Sequence, residues 1–233
     1  MWLVACKNDE KSISNKDTNK IEATDKQKKK SKTTPQVRIP SDGSVEVDLS
    51  HIQSLAQPEL KPFLDRYQRD NNEANGKITT PYGDIEFMLY AGPKYHRTNF
   101  VRLTKLGYFD HTEFHRVAEG FVIQGGNSEK KVASQFRNKI GDFLIPNEFN
   151  PLHRHAYGTI AAAKYSEQNI SKASSPFEFY IVVDPNGAHH LDEEHTVFGR
   201  VTKGMEVVEK ISKVKVDGSE WPIENVSMKV EVF

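Results

Sequence analysis

One cysteine in 233 residues cannot make an internal disulfide, so a fold built by this chain rests on its core. The same scarcity removes the cysteine ligands on which structural zinc modules depend. No apolar run approaches the ~20 residues that a membrane-spanning helix requires. Charge of one sign is not in excess, because 32 Lys and Arg face 32 Asp and Glu for a formal net charge of +0. That balance gives no general attraction for nucleic acid, and none is expected as a partner. Between Lys7 and Gln36 apolar residues themselves are nearly missing, which accounts for much of the mean hydropathy of -0.64. Such a stretch cannot offset the entropy of ordering and reads as a flexible polar tether over residues 7–36. Its basic run, Lys26-Gln27-Lys28-Lys29-Lys30-Ser31-Lys32, has no interleaved aromatics and reads as solvated linker.

What is present is concentrated further along. A hydrophobic content of 36% suffices for one sizeable core. After Gly76, short apolar or alternating runs between turn residues predict eight strands: Lys77 to Thr80, Asp84 to Tyr90, Thr112 to Val117, Phe121 to Gln124, Gly158 to Ala163, Glu178 to Val183, Thr196 to Val201 and Val226 to Val232. Two helical patterns interrupt them, one ending at Gly107 and one over Met205 to Ser212, where Val207, Val208 and Ile211 form a stripe. These elements suit a barrel or a sandwich with helices at its ends. Residues 37–75 form an extension ahead of this domain. There, Leu60, Phe63, Leu64 and Tyr67 follow Pro58 at helical spacing, which predicts a short amphipathic helix from about Glu59 to Asn71, with Pro62 in its first turn. It is too short to fold alone and is expected to pack on the domain or to bind a partner.

The most informative stretch is Phe114-His115-Arg116-Val117-Ala118-Glu119-Gly120-Phe121-Val122-Ile123-Gln124, followed by Gly125-Gly126. Alternation predicts Phe114 and Arg116 on one face and His115 and Val117 on the other, with Phe121 and Ile123 sharing a face. Arginine among apolar neighbours is either buried against carbonyls or held for chemistry. The stretch closely resembles the signature of the cyclophilin-type peptidyl-prolyl isomerases, and the resemblance runs from about Gly76 to the C-terminus. Lys77-Ile78-Thr79-Thr80-Pro81-Tyr82-Gly83-Asp84-Ile85 is similar to that family's opening hairpin. Asn99-Phe100-Val101-Arg102-Leu103 through Gly107-Tyr108-Phe109-Asp110 is similar to its first helix and exit, and Thr196-Val197-Phe198-Gly199-Arg200-Val201 to the strand before its second helix. The resemblance implies a mostly β fold over residues 76–233, a closed eight-stranded antiparallel β-barrel capped by two α-helices, and an enzyme that needs no cofactor.

It also implies roles. Arg116 would stabilise a twisted prolyl amide, and Gln124 would bond the substrate backbone or orient Arg116. Phe121, Val122, Tyr180, Leu191 and His195 would form the proline pocket, with the backbone of Ala163 and Lys164 holding the residue before proline. Glu178 stands where the family usually has glutamine, and is expected to pair with Arg116 or weaken its field. His190 stands where vertebrate-type members have tryptophan, which predicts altered ligand preference. His189, His190 and His195 with Asp192, Glu193 and Glu194 have no fixed metal-ligand spacing and read as a polar loop, with no metal expected.

At the extreme N-terminus, Leu3-Val4-Ala5-Cys6 resembles the lipobox at which bacterial lipoproteins are acylated. Residues 1–6 are shorter than the apolar stretch of about 7 to 15 residues in a signal peptide, so the expectation is a translation start further upstream. Together these readings predict a monomeric lipoprotein of the bacterial cell envelope, anchored through Cys6 and isomerising Xaa-Pro segments of exported polypeptides. A catalytically weak prolyl-peptide-binding module or holdase is the alternative, and a scaffold acting through its extension is a third.

Overall fold

The computed structural model describes residues 47–165 and 170–233; Cys6, the basic run and the tether lie outside the described residues. Among the described residues nine strands form one antiparallel sheet: β1 (Asn75–Thr80), β2 (Gly83–Leu89), β3 (Glu113–Ala118), β4 (Val122–Asn127), β5 (Thr159–Ala162), β6 (Phe179–Val182), β7 (Val197–Lys203), β8 (Val226–Ser227) and β9 (Lys229–Val232). Their order is β8-β3-β4-β6-β5-β7-β2-β1-β9. The strand predicted over Val226 to Val232 is therefore divided at Met228. Its first part pairs with β3 and its second with β1, so one C-terminal segment joins the two ends of the sheet and nearly closes a barrel.

Helices α2 (Lys94–Lys105) and α4 (Met205–Ile211) supply Phe100, Val101, Leu103, Val207, Val208 and Ile211 to the core that fills the barrel and its ends. Helix α3 (Lys131–Ile140) adds Phe136 and Ile140. The predicted extension helix is α1 (Leu60–Tyr67), which tolerates Pro62 because the early N–H groups of a helix have no partner to lose. It stops short of Asn71, whose side-chain amide donates to the Tyr67 carbonyl and caps the helix end.

The extension lies on the domain. Ile52, Leu55, Leu60 and Leu64 are at most 3% exposed and belong to the main core. Arg102 of α2 donates to the Gln53 carbonyl and lies over the Phe63 ring, and burial pulls its guanidinium down to about 10. Gly141, at φ +118, turns the chain beneath Leu55 so closely that a Cβ would stand 2.1 Å from the Leu55 oxygen.

Candidate active site

The barrel has two apolar faces. Ile123, Phe114, Val117, Phe179 and Ile181 point inward to the main core, whereas Val122, Tyr180, Ala161, Ala163 and Val197 form a second cluster on the outer surface. Phe121 and Leu191 pack against that second cluster.

Strict alternation fails at the motif itself. β3 carries a bulge, with Phe114 opposite Gly125 and Arg116 opposite Gln124, so His115 is the extra residue. Phe114 therefore enters the core while Arg116 emerges on the outer face, contrary to the shared face predicted for them. Phe121 and Ile123 do not share a face either, because Phe121 sits in the turn before β4 and lies with the outer cluster. The bulge is what lets a guanidinium and a fully packed strand coexist.

The outer cluster floors a groove holding about 280 Å³. Arg116, Gln124, Phe121 and Val122 line it from β3, β4 and their turn; Ala163, Lys164 and Tyr180 line it from β5, β6 and their flanks. His190, Leu191 and His195 close it from the loop before β7. The His190 ring stacks on Phe121 at 5.4 Å between centroids. Residues scattered over 80 positions of sequence are thus brought to one concave surface, with the Arg116 guanidinium opposite an apolar floor.

Glu178 is placed differently from expectation. It does not line the groove and does not reach Arg116. Its carboxylate accepts from the Gln124 amide at 2.8 Å and the Asn127 amide at 3.1 Å, and stands 3.5 Å from His115 Nε2. Burial would raise its carboxyl, but the His115 contact and the Gln124 hydrogen bond outweigh that and hold it below the ordinary glutamate value. The physical reason for the correction is again the bulge, which presents His115 to Glu178. Arg116 instead pairs through Nε with Glu220 at 2.7 Å, a residue that sequence reasoning did not single out.

A second polar network supports the pocket from behind. The Asp192 carboxylate accepts from the His155 backbone N–H at 2.8 Å, from His155 Nδ1 at 2.9 Å and from Arg154 Nε at 2.8 Å. Partial burial would raise Asp192, but these bonds hold it far below the usual carboxylate range. Burial pushes the His155 imidazole down more strongly than Asp192 lifts it. A neutral ring with Nδ1 donating to a carboxylate leaves Nε2 as acceptor, and the Tyr180 hydroxyl lies 3.0 Å from it. Tyr180 is held in the groove by this chain, and His195, donating Nδ1–H to the Ala162 carbonyl, meets its ring edge-on at 5.5 Å. Among the described residues no group of three metal-ligating side chains is placed to hold an ion.

Residues 76–232 match the family model described as cyclophilin type peptidyl-prolyl cis-trans isomerase/CLD. The chain belongs to the cyclophilin family. It is similar to peptidyl-prolyl cis-trans isomerase A of Dickeya dadantii, 36% identical over 157 residues that cover 65% of this chain and 77% of that protein. It is also similar to peptidyl-prolyl cis-trans isomerase-like 2 of Rhizopus delemar, 30% identical over 170 residues, where it spans 72% of itself but only 30% of the relative. In fold it resembles the crystal structure of a Cryptosporidium parvum cyclophilin type isomerase, with a TM-score of 0.59 at 24% identity, covering 69% of this chain and 98% of that one. The cyclophilin barrel accounts for the nearly closed sheet; the extension ahead of residue 76 falls outside the matched family region.

Proposed function

We propose that this cyclophilin is a peptidyl-prolyl cis-trans isomerase acting on Xaa-Pro segments of unfolded or flexible polypeptides. The observation that carries the reading is the single groove in which the Arg116 guanidinium faces an apolar floor made by Phe121, Val122, Tyr180 and Leu191. Rotation about a prolyl amide is slow because resonance must be broken, with a barrier of about 18–20 kcal/mol. At the twisted transition state the prolyl nitrogen regains a localised lone pair. A guanidinium placed toward that nitrogen stabilises the twisted state more than the planar one, with no covalent step and no cofactor. The apolar floor takes the proline ring, His195 walls it, and the backbone at Ala163 and Lys164 holds the preceding residue.

Attachment through Cys6 to a bacterial envelope membrane, clients among exported proteins and a monomeric state form part of the same proposal. They rest on the lipobox-like Leu3-Val4-Ala5-Cys6 and the polar tether. One observation favours binding without turnover as a second reading: a carboxylate, Glu220, sits directly on Arg116. NMR exchange spectroscopy on a short Xaa-Pro peptide separates the two. Accelerated cis-trans exchange at substoichiometric protein supports the isomerase, and peptide shifts without acceleration support the binding module.

A further inference from the structure

Arg116 has one ion pair among the described residues, and it is made by its Nε edge. A carboxylate on Nε leaves both terminal NH₂ groups of the fork to the groove that Arg116 lines. The residue opposite Arg116 across the strands, Gln124, donates its amide nitrogen to Glu178, and among the described residues no hydrogen bond joins its amide oxygen to Arg116. Orientation of the guanidinium therefore falls to Glu220.

The loop that carries Glu220, residues 212–225, is built to hold it there. Asp217 accepts from the Ser219 N–H at 2.8 Å, the Ser219 hydroxyl at 2.7 Å and the Trp221 N–H at 3.0 Å, while its own N–H donates to the Trp221 carbonyl. Within this turn Glu220 takes φ +65, a left-handed conformation uncommon for a residue other than glycine, asparagine or aspartate. Its carbonyl accepts from the Val117 N–H at 2.8 Å, which fixes the loop to β3 one residue beyond Arg116. Trp221 meanwhile packs on the bulged His115, with ring centroids 5.5 Å apart. Backbone and side chain of Glu220 thus grip two successive residues of β3.

We propose that Glu220 is the positioning residue for Arg116, holding the guanidinium by Nε so that its terminal nitrogens meet the prolyl amide. The inference rests on the isomerase reading above. Both side chains are partly exposed, Arg116 by 38% and Glu220 by 45%, so the pair acts mainly through geometry and little through net attraction. Free rotation of a long side chain dilutes its productive orientation, and the loss appears in turnover, not in substrate affinity.

The test is full-chain protein with Glu220→Ala and Glu220→Gln, read by exchange spectroscopy for kcat and KM and by the ¹H–¹⁵N signal of Arg116 Nε. Glu220→Ala should lower kcat about fivefold with KM within about twofold, and should broaden or lose the Arg116 Nε–H signal. Glu220→Gln retains an acceptor oxygen and should recover most of both. Unchanged kcat and an unchanged Nε–H signal in Glu220→Ala would overturn the proposal, as would a rise in kcat in both variants, which would make Glu220 a brake. If the unsubstituted protein gives no acceleration, the isomerase reading fails on its own, and the Nε–H signal still decides whether Glu220 holds Arg116.

Discussion

Replacing Leu64 by alanine should destabilise the whole domain, although Leu64 precedes the first barrel strand and lies outside the matched family region. Its side chain is 1% exposed and shares one core with Leu60, Leu55 and Phe100. Truncating a buried leucine removes transfer free energy and leaves a cavity, at a cost of about 3 kcal/mol within a usual range of ~2–5. For a folded unit of this size each kcal/mol moves Tm by about 2–4 °C, so the expected loss is roughly 6–12 °C. Circular dichroism melts and urea midpoints of full-chain protein would measure it, with Leu152→Ala as control because Leu152 is 86% exposed. A Leu64→Ala shift no larger than that of the control would refute the docking of the extension, and with it the reasoning that Arg102 is buried by Gln53 and Phe63.

Three further outcomes follow from the geometry. Tyr180→Phe removes the hydroxyl that partners buried His155 Nε2 and should cost about 1–2 kcal/mol in urea unfolding, since a buried acceptor is left unmatched. Gly126→Ala should prevent recovery of folded protein or cost more than about 4 kcal/mol, because Gly126 has φ +96 and a Cβ there would stand 2.1 Å from the Phe177 oxygen. Stability should fall in acid in two stages. His155 is held below the ordinary imidazole value of about 6.5, so as pH drops past that point the unfolded chain takes up a proton that the folded chain refuses. The depressed carboxyls of Asp192 and Glu178 contribute fully above their unfolded values of about 4, and that contribution is lost as pH falls toward their folded ones. Urea midpoints from pH 7.5 to 3.5 should show both stages, and a flat profile would contradict them.

Much of this was legible in the sequence because alternation and turn residues are local signals. The strand positions, the C-terminal closing segment and the helix spacing of Leu60 and Leu64 follow from them. Helix α3 goes unpredicted even though Ala133, Phe136 and Ile140 fall at helical spacing. The faces of Phe114 and Arg116 could not be read, since a bulge is decided by pairing with β4 and not by β3 itself. The partner of Arg116 was hidden for a similar reason: Glu220 lies 104 positions away, and a left-handed turn is what delivers it. Glu178 stands out in the sequence as a departure, but its contact with His115 and Gln124 in place of Arg116 exists only in the folded arrangement.

In the proposed isomerase the Arg116 fork is what stabilises the twisted prolyl amide. The most direct test is cis-trans exchange of a short Xaa-Pro peptide with unsubstituted protein, Arg116→Ala and Arg116→Lys at equal concentration. Removing one preorganised group of this kind should cost about 10²–10³ in kcat, with Arg116→Lys recovering only part because a point charge replaces the planar fork. Exchange that proceeds at the unsubstituted rate in Arg116→Ala would contradict the account.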